Sequence, residues 1–505
     1  MSHLPRSWTA ARISLAAVVL LVCWWFLMRA VRVHQPPRVL LLNAGVEGLD
    51  PAVGPGVARL LTDAMEVSAG ATVLGTQPAG TVPTGMMPGD LLMKLGGRRV
   101  GDALSLSIAW TTPAERAGGR PWHELILPPA LPGQTLQACF KQWPFPSIHL
   151  GAARLAPQDP VRFWTLMRAM SVSDDQTALS YLGASRELAD KEPDSAAAWT
   201  TLGEQLYRSL WVSPGEASTL PQNQALDAFD HALALVPGYP RAAFLRGMME
   251  TDVGNQREAL RGLVEARRRR PWVPDFYSGL AYAGRTSGLL DGAESALRSR
   301  RDLMDPLPDT TGWFAETTWL YTGQWKRFEE SLQATMRTRR DPVFLFYLGY
   351  LALLHEDPDR AKGYFQEGAS IPQLSLPFRD LCAVYSAALE GRREEGLARL
   401  RKLEESRGSL RIPDGELTFK VAEAYAFLGR PDMAIESAGR AFAQGFGCTR
   451  WYETSPIFAP AREHPRWAAL QQHLRERQSL LEKRYEDADF KPAGPGIRNL
   501  LPAGR

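Results

Sequence analysis

Cysteine is scarce in this 505-residue chain: four occur, at Cys23, Cys139, Cys382 and Cys448. They stand far apart, which excludes a disulfide scaffold and a Cys-x-x-Cys zinc site. An excess of one charge is also lacking. Lys and Arg total 58 against 55 Asp and Glu, a net charge of +3. No overall basic field results, and nucleic acid is not an expected partner. The common catalytic signatures are missing: GxxxxGK(S/T), GxSxG, HExxH and HxE followed by CxxC do not occur. The histidines, among them His123, His149, His231 and His355, never pair at metal spacing. No catalytic residue, metal, cofactor or small-molecule substrate is expected.

Three near-matches have plainer readings. Gly54-Pro55-Gly56 begins like a dinucleotide loop, but Pro55 disrupts the turn and Arg59 replaces the third glycine. Asp487-Ala488-Asp489 has the form of a glycosyltransferase DxD inside a polar tail. Arg267–Arg270 precede Pro271 at a helix C-terminus, where cations compensate the macrodipole. An acidic-partner site is the rival reading there.

What is present begins with an apolar run. Ile13–Met28 (ISLAAVVLLVCWWFLM) has no charge and no proline, and Arg12 and Arg29 bound it. Its sixteen residues would span about 24 Å as a helix, a little short of a ~30 Å hydrocarbon core. Arg29 can snorkel and Ala30-Val31 extend the stretch, so a transmembrane anchor is expected over residues 13–31, after a leader of residues 1–12. A cleaved signal peptide is the alternative, with Arg6 and Arg12 as its n-region. Against it, the following RAVRVHQPPR is basic and has no small-residue cleavage site. The positive-inside balance is nearly even, and N-in, C-out is the usual outcome for a signal anchor.

After a linker at residues 32–37, residues 38–150 read as a small α/β domain. Arg38–Ala44 is a buried strand, Val57–Val67 an amphipathic helix with Val57, Leu60, Leu61 and Ala64 on one face, and Ala71–Gly75 a second strand. Asp90–Leu95, Ala103–Trp110 and Trp122–Leu127 follow as strands, with turns at Gly96-Gly97, Gly101-Asp102 and Gly118-Gly119. Leu104, Leu106, Ile108 and Trp110 alternate with small residues, the mark of a half-buried antiparallel strand. A short helix, Gln134–Gln142, ends at Pro144–Pro146. The Thr76–Gly89 segment, rich in Pro, Gly and Met, reads as a surface loop, with a lid as its rival.

Residues 151–485 carry a helical repeat near 34 residues. Trp199, Leu202, Gly203 and Tyr207 open one unit, and Ala225, Phe229, Ala232 and Pro237 close it across an inserted segment. Gly247, Gly254, Ala259, Leu263, Ala266 and Pro271 repeat the offsets. So do Gly279, Tyr282, Gly288, Ala293 and Leu297, then Leu348, Gly349, Ala361 and Phe365, then Tyr425, Gly429, Ala434 and Ala441. Weaker units occupy Thr311–Asp341 and Leu376–Arg407. Small residues let paired helices approach, the larger residue fills the gap, and proline stops the second helix. The fold class expected is mainly α: an N-terminal transmembrane helix, a small α/β domain, then a tetratricopeptide-like α-solenoid. Residues 486–505, rich in Pro and Gly, are expected to be a disordered tail.

Two resemblances attach to these residues. GVARLLTDAM and LLMKLGGRRVGDALSLSIAW, followed by Gly119 and Trp122, resemble the TolB N-terminal-like domain, with the long Thr76–Gly89 segment as a departure. Residues 421–474 resemble the closing segment of bacterial membrane proteins that join such a domain to tetratricopeptide repeats. The resemblance implies a single-pass inner-membrane protein with the bulk of the chain in the periplasm. Relatives of this kind can carry a cytoplasmic effector ahead of the span; only the short leader stands there in this sequence, so a transcriptional or catalytic role is not expected.

Aligning the first helices puts Phe244, Phe276, Phe346 and Phe419 at one repeat position, with Tyr350 a turn beyond Phe346. In tetratricopeptide domains that position generally faces the concave groove, and aromatics there would bind extended or helical peptides. The alternative is that each phenylalanine packs between neighbouring helices. The function expected is that of a protein–protein interaction scaffold. A signalling component acting through a partner membrane protein, or an enzyme with an undetected site in the α/β domain, are the other readings.

Overall fold

The computed structural model describes residues 37–491 apart from 43–44, 77–85, 88–89, 143–151, 173–174, 213–219, 305–312, 338–339, 373–375 and 409–413. The leader, the anchor expected at 13–31, most of the 32–37 linker and of Thr76–Gly89, Pro144–Pro146, most of the insertion after Trp211 and the tail beyond Lys491 lie outside the described residues. Among the described residues, no helix is long and apolar enough to cross a membrane.

The N-terminal part is a five-stranded sheet: β1 (Arg38–Leu41), β2 (Thr72–Thr76), β3 (Leu91–Val100), β4 (Ala103–Thr111) and β5 (His123–Ala130), in the order β2-β1-β3-β4-β5. β1 runs parallel to both neighbours, whereas β3, β4 and β5 form an antiparallel meander. Strand β1 is apolar after Arg38 because both faces are covered. Val39 and Leu41 pack under helix α1 (Gly54–Ala64), and Leu40 and Leu42 pack on the other side with Leu74 and Leu92. Helix α1 buries the predicted face of Val57, Leu60, Leu61 and Ala64. Helix α2 (Pro132–Lys141) covers the same side of the meander.

Gly96-Gly97 does not turn the chain. Strand β3 continues through it, pairing Gly96 with Ser107 and Gly97 with Leu106, and only Gly101-Asp102 makes the hairpin bend. The two glycines instead admit a crossing segment: the Gly97 amide donates to the Glu47 carbonyl at 2.8 Å. A Cβ on Gly97 would sit 2.8 Å from the Ser105 carbonyl oxygen. Strand β5 also runs past its expected end, through Pro128 and Pro129, which its place at the edge of the sheet tolerates because proline has no N–H to donate to a ladder.

The rest is a stack of helical hairpins. They pair α3 with α4 (Pro160–Ser171, Asp175–Lys191), α5 with α6 (Ala196–Val212, Leu220–Leu235), α7 with α8 (Pro240–Asp252, Gln256–Arg269) and α9 with α10 (Pro274–Thr286, Leu290–Met304). Two short turns, Trp313–Glu316 and Thr318–Tyr321, stand in for a first helix before α11 (Trp325–Met336). Then come α12 and α13 (Pro342–Leu354, Pro358–Ser370), α14 and α15 (Leu376–Leu389, Arg393–Gly408), α16 and α17 (Gly415–Phe427, Pro431–Ala443), short helices at Thr449–Thr454 and Ala459–Arg462, and α18 (Trp467–Glu482). Several start on the same Asp-Pro signal. Asp159, Asp341 and Asp357 accept from the amides of Arg162, Val343 and Arg360, and the following proline supplies a first helical residue that needs no N–H partner.

The repeat offsets are physical contacts. A Cβ on Gly203 would come within 2.6 Å of the Phe229 ring, one on Gly247 within 2.6 Å of Leu263, and one on Gly349 within 2.7 Å of the Phe365 ring. Each glycine thus makes room for the large residue of its own hairpin. The expected boundary at residue 150 does not separate two cores: one apolar cluster runs from Val39 in β1 to Met249 in α7. The last part of the chain also departs from expectation. Asp487–Phe490 form a 3-10 turn that packs against the array, so the ordered chain extends to Lys491.

Candidate functional site

The concave side of the array is filled, and the predicted groove aromatics are part of the filling. Phe276, Phe346, Tyr350 and Phe419 are each 0% exposed; Phe244 alone keeps a partly open surface. Phe346 is ringed by Tyr347, Tyr350, Phe365, Phe378 and Tyr385. Phe419 packs on Phe446, Tyr452 and Phe458, and Phe276 lies among Ala243, Ala266, Trp272 and Val273. This corrects the expectation of an open aromatic groove over these hairpins. Their first helices share a common inside, and the superhelix is tight enough for that inside to close on itself.

Closure is visible in contacts between hairpins far apart in sequence. The Asp414 amide donates to the Asp252 carbonyl at 3.2 Å, and the Gly447 amide to the Thr286 carbonyl at 2.6 Å. Two hairpin turns have the shape this needs. Gly254 and Gly288 hold φ of 93° and 84°, and a Cβ there would lie 2.9 Å from the Gln444 carbonyl and 2.7 Å from the Gly447 carbonyl. Glycine is required at both for backbone conformation and for close approach.

A buried polar seam runs down the closed interior. At one end, Tyr282 donates to the Asp252 carboxylate at 2.6 Å and Tyr207 donates to its other oxygen. In the middle, Glu416 accepts from Arg285 at 2.8 Å and from Tyr321 at 2.6 Å. At the other end, Glu423 takes four donors: Tyr350 at 2.7 Å, Trp451 at 3.1 Å, Ser455 at 2.6 Å and Lys420 at 2.9 Å. The Lys420 ammonium lies 4.0 Å from the Tyr350 ring centroid, with the Tyr321 and Trp451 rings beyond. A buried carboxylate is tolerated when its lone pairs are met in this way.

The seam sets its own electrostatics. Burial, reinforced by Asp414, pushes the Asp252 carboxyl up to about 7. Burial alone would lower the Arg285 pKa, but Glu416 and Tyr321 outweigh it and hold the guanidinium above its ordinary value. Burial and the adjacent carboxylates raise Tyr207, Tyr282, Tyr321 and Tyr350, so these phenols are donors. The arrangement cross-links helices. Among the described residues, no three His, Cys, Asp or Glu side chains form a group that could hold a metal ion. Buried Cys139, Cys382 and Cys448 have thiol pKa values raised by desolvation, which keeps them protonated.

A second seam joins the sheet to the array. Arg241 on α7 reaches Asp63 on α1 at 3.6 Å and Glu204 on α5 at 3.3 Å, and Arg59 meets Glu204 at 3.6 Å. Tyr239 donates to Asp63 at 2.5 Å. Burial pushes both carboxyls up. Around Glu204, Arg241, Arg59 and Arg208 overcome it and bring the pKa below its usual value, whereas Asp63 stays raised. Backbone contact tightens the joint: the Gly56 amide donates to Ser171 at 2.8 Å, and a Cβ on Gly56 would lie 2.0 Å from the Met167 carbonyl. The sheet with α1 is therefore the N-terminal cap of the solenoid.

Sequence reasoning missed both seams. The available signal was charge on helices with no free face: Glu416, Lys420 and Glu423 lie one to two turns apart on α16, all of whose residues except Phe427 are buried. The four arginines 267–270 are also in use. Arg269 pairs with Glu265, Arg270 holds the Gly238 and Val67 carbonyls, and Arg267 and Arg268 grip the tail.

No protein-family model matches the chain, and no curated protein matches it. Among solved structures it is similar to a chain of the APC/C hetero-tetramer Cut9-Hcn1, at 11% identity over 70% of this chain and 78% of that one, with a TM-score of 0.35. The P58(IPK) TPR domain is similar at 12% identity over 64% of this chain and 93% of that one, with a TM-score of 0.17. Likeness at this level adds nothing to what the hairpins establish. The chain is a mainly helical, tetratricopeptide-like solenoid with a small five-stranded sheet at its N-terminal end.

Proposed function

We propose that the chain is a membrane-anchored protein–protein interaction scaffold, held by residues 13–31 in a bacterial inner membrane with its solenoid in the periplasm. The observation that carries this reading is the array itself: stacked hairpins rigidly capped by the sheet, presenting a long row of second helices outward. The uncharged Ile13–Met28 run supports the anchor, and the TolB-like hairpin supports the compartment. Because the inner face is closed over most of the array, partners meet the outer helices and the partly open edge at Phe244, whose ring lies 6.4 Å from that of Phe314.

The test is crosslinking of the full-length protein in intact membranes, followed by identification of the captured chains. Discrete protein partners, lost or reduced with Phe244→Ala at unchanged melting temperature, are expected. Recovery of no partner would overturn the scaffold reading. Fractionation of the same cells examines the anchor: full-length protein stays with the membrane, and a soluble form beginning after Met28 would replace the anchor with a cleaved signal.

A further inference from the structure

The tail is bound as a peptide would be. Residues 487–490 make a single 3-10 turn with its own capping box, in which the Glu486 amide donates to Asp489 at 3.2 Å. From that turn Phe490 enters a slot between α9 and α10 and is 1% exposed. Two glycines form the slot: a Cβ on Gly292 would come within 2.7 Å of the ring and one on Gly284 within 3.0 Å. At the rim, Arg268 pairs with Asp489 at 2.7 Å, and the buried Arg267 guanidinium donates to the Lys491 carbonyl. These groups come from helices more than 220 residues earlier in the chain. Beside Phe490 a cleft of about 400 Å³ remains, lined by Gly288, Asp291, Gln478 and Tyr485 among others, and the Gln478 amide oxygen has no hydrogen-bond partner among the described residues.

An aromatic slot with a cation for an adjacent carboxylate and a donor for the next carbonyl is a short-peptide reader. We propose that the α8–α10 slot recognises acidic–aromatic segments of partner proteins, Asp-Phe or Glu-Phe in sequence, and that the chain's own Asp489-Phe490 occupies it in cis. Its described hold includes the Phe490 ring, an ion pair to the exposed Arg268 and a backbone contact to Arg267. A partner with a further contact outside the slot can displace it. This deepens the scaffold reading and rests on it for the existence of a partner, but its test needs no partner.

The experiment uses the full chain in detergent, with Asp489 and Phe490 both changed to alanine so that the slot is vacant, and a fluorescent peptide of sequence EDADFKPA read by anisotropy. Saturable binding is expected, at least tenfold tighter than to the parent chain. A further Arg268→Glu change, or alanine in place of the peptide's phenylalanine, should remove it. Absence of saturable binding to a variant that melts near the parent temperature would overturn the proposal. Hydrogen exchange on the unmodified chain gives a second reading that depends on no variant. Amides of residues 486–491 exchanging well ahead of those in α9 and α10 are expected. Exchange of both only with global unfolding would make the tail a fixed part of the core and end the proposal, whereas partner capture by the outer helices would be unaffected.

Discussion

Helices α12 and α15 belong to the same array and share almost nothing in composition. Helix α12 reads PVFLFYLGYLALL, and every residue except Leu353 is buried. Helix α15 reads REEGLARLRKLEESRG, and among its described residues the buried large ones are Leu397, Leu400 and Leu403. The second is a charged helix that buries a short row of leucines and leaves most of its other side chains in solvent. The first has no outside, which is possible only if neighbours surround it. Inner helices of an open solenoid keep a groove-facing side; here that side is covered by the far end of the same chain. Helix α16 makes the point with charge instead of hydrocarbon. Buried at every residue but Phe427, it carries Glu416, Lys420 and Glu423, and each meets a partner supplied by another helix or by its own next turn.

The contrast breaks most completely at Glu423. Glu423→Ala strands Lys420 in the interior together with three neutral donors, and should cost about 3–5 kcal/mol by chemical denaturation. Phe346→Ala should cost a similar amount, ~3–5 kcal/mol, because the ring is enclosed by aromatics that only partly collapse into the space. A loss below about 1 kcal/mol in Phe346→Ala would mean that the inner face is open in solution.

The seam also makes stability depend on pH. Since the folded state raises the Asp252 pKa from 3.8 to about 7, it binds a proton that the unfolded chain releases earlier. The stabilisation is full below pH ~4 and is lost as pH rises through about 7, roughly 4 kcal/mol at most. Melts of the parent and of Asp252→Asn across this window check it: the variant should show the shallower pH profile. A smaller effect is expected within one hairpin. Gly349→Ala pushes a methyl group into the Phe365 ring and should cost ~1–3 kcal/mol in a thermal melt. The smallest belongs to the outside: Leu480 on α18 is 68% exposed, and Leu480→Ala should leave the melting free energy within ~0.5 kcal/mol of the parent.

Much of the fold could be read ahead of the structure because its rules are local. Spacing of Gly203, Gly247 and Gly349 from Phe229, Leu263 and Phe365 announced the hairpins, since those pairs lie within one unit. Alternation in Ala103–Trp110 announced β4 for the same reason. Gly96-Gly97 misled because a glycine pair suits a turn and a close crossing equally well, and the difference lies in Glu47, half a domain away. The aromatic position in the first helices was found correctly and its surroundings were not. A phenylalanine facing a groove and one sealed beneath another helix have the same sequence spacing.

Composition and periodicity by themselves determined that this chain is a helical-hairpin array behind a small α/β unit, because each hairpin buries its stripe against its immediate neighbour. Only the tertiary structure decided that the array closes. Superhelical curvature accumulates from small rotations at every hairpin, and no single repeat encodes their sum. Whether Asp252 meets Asp414, or Arg285 meets Glu416, depends on that sum and on the glycines at 254 and 288 that let the ends touch. Arg285 and Glu416 therefore stand 131 residues apart, at a separation that no repeat period marks.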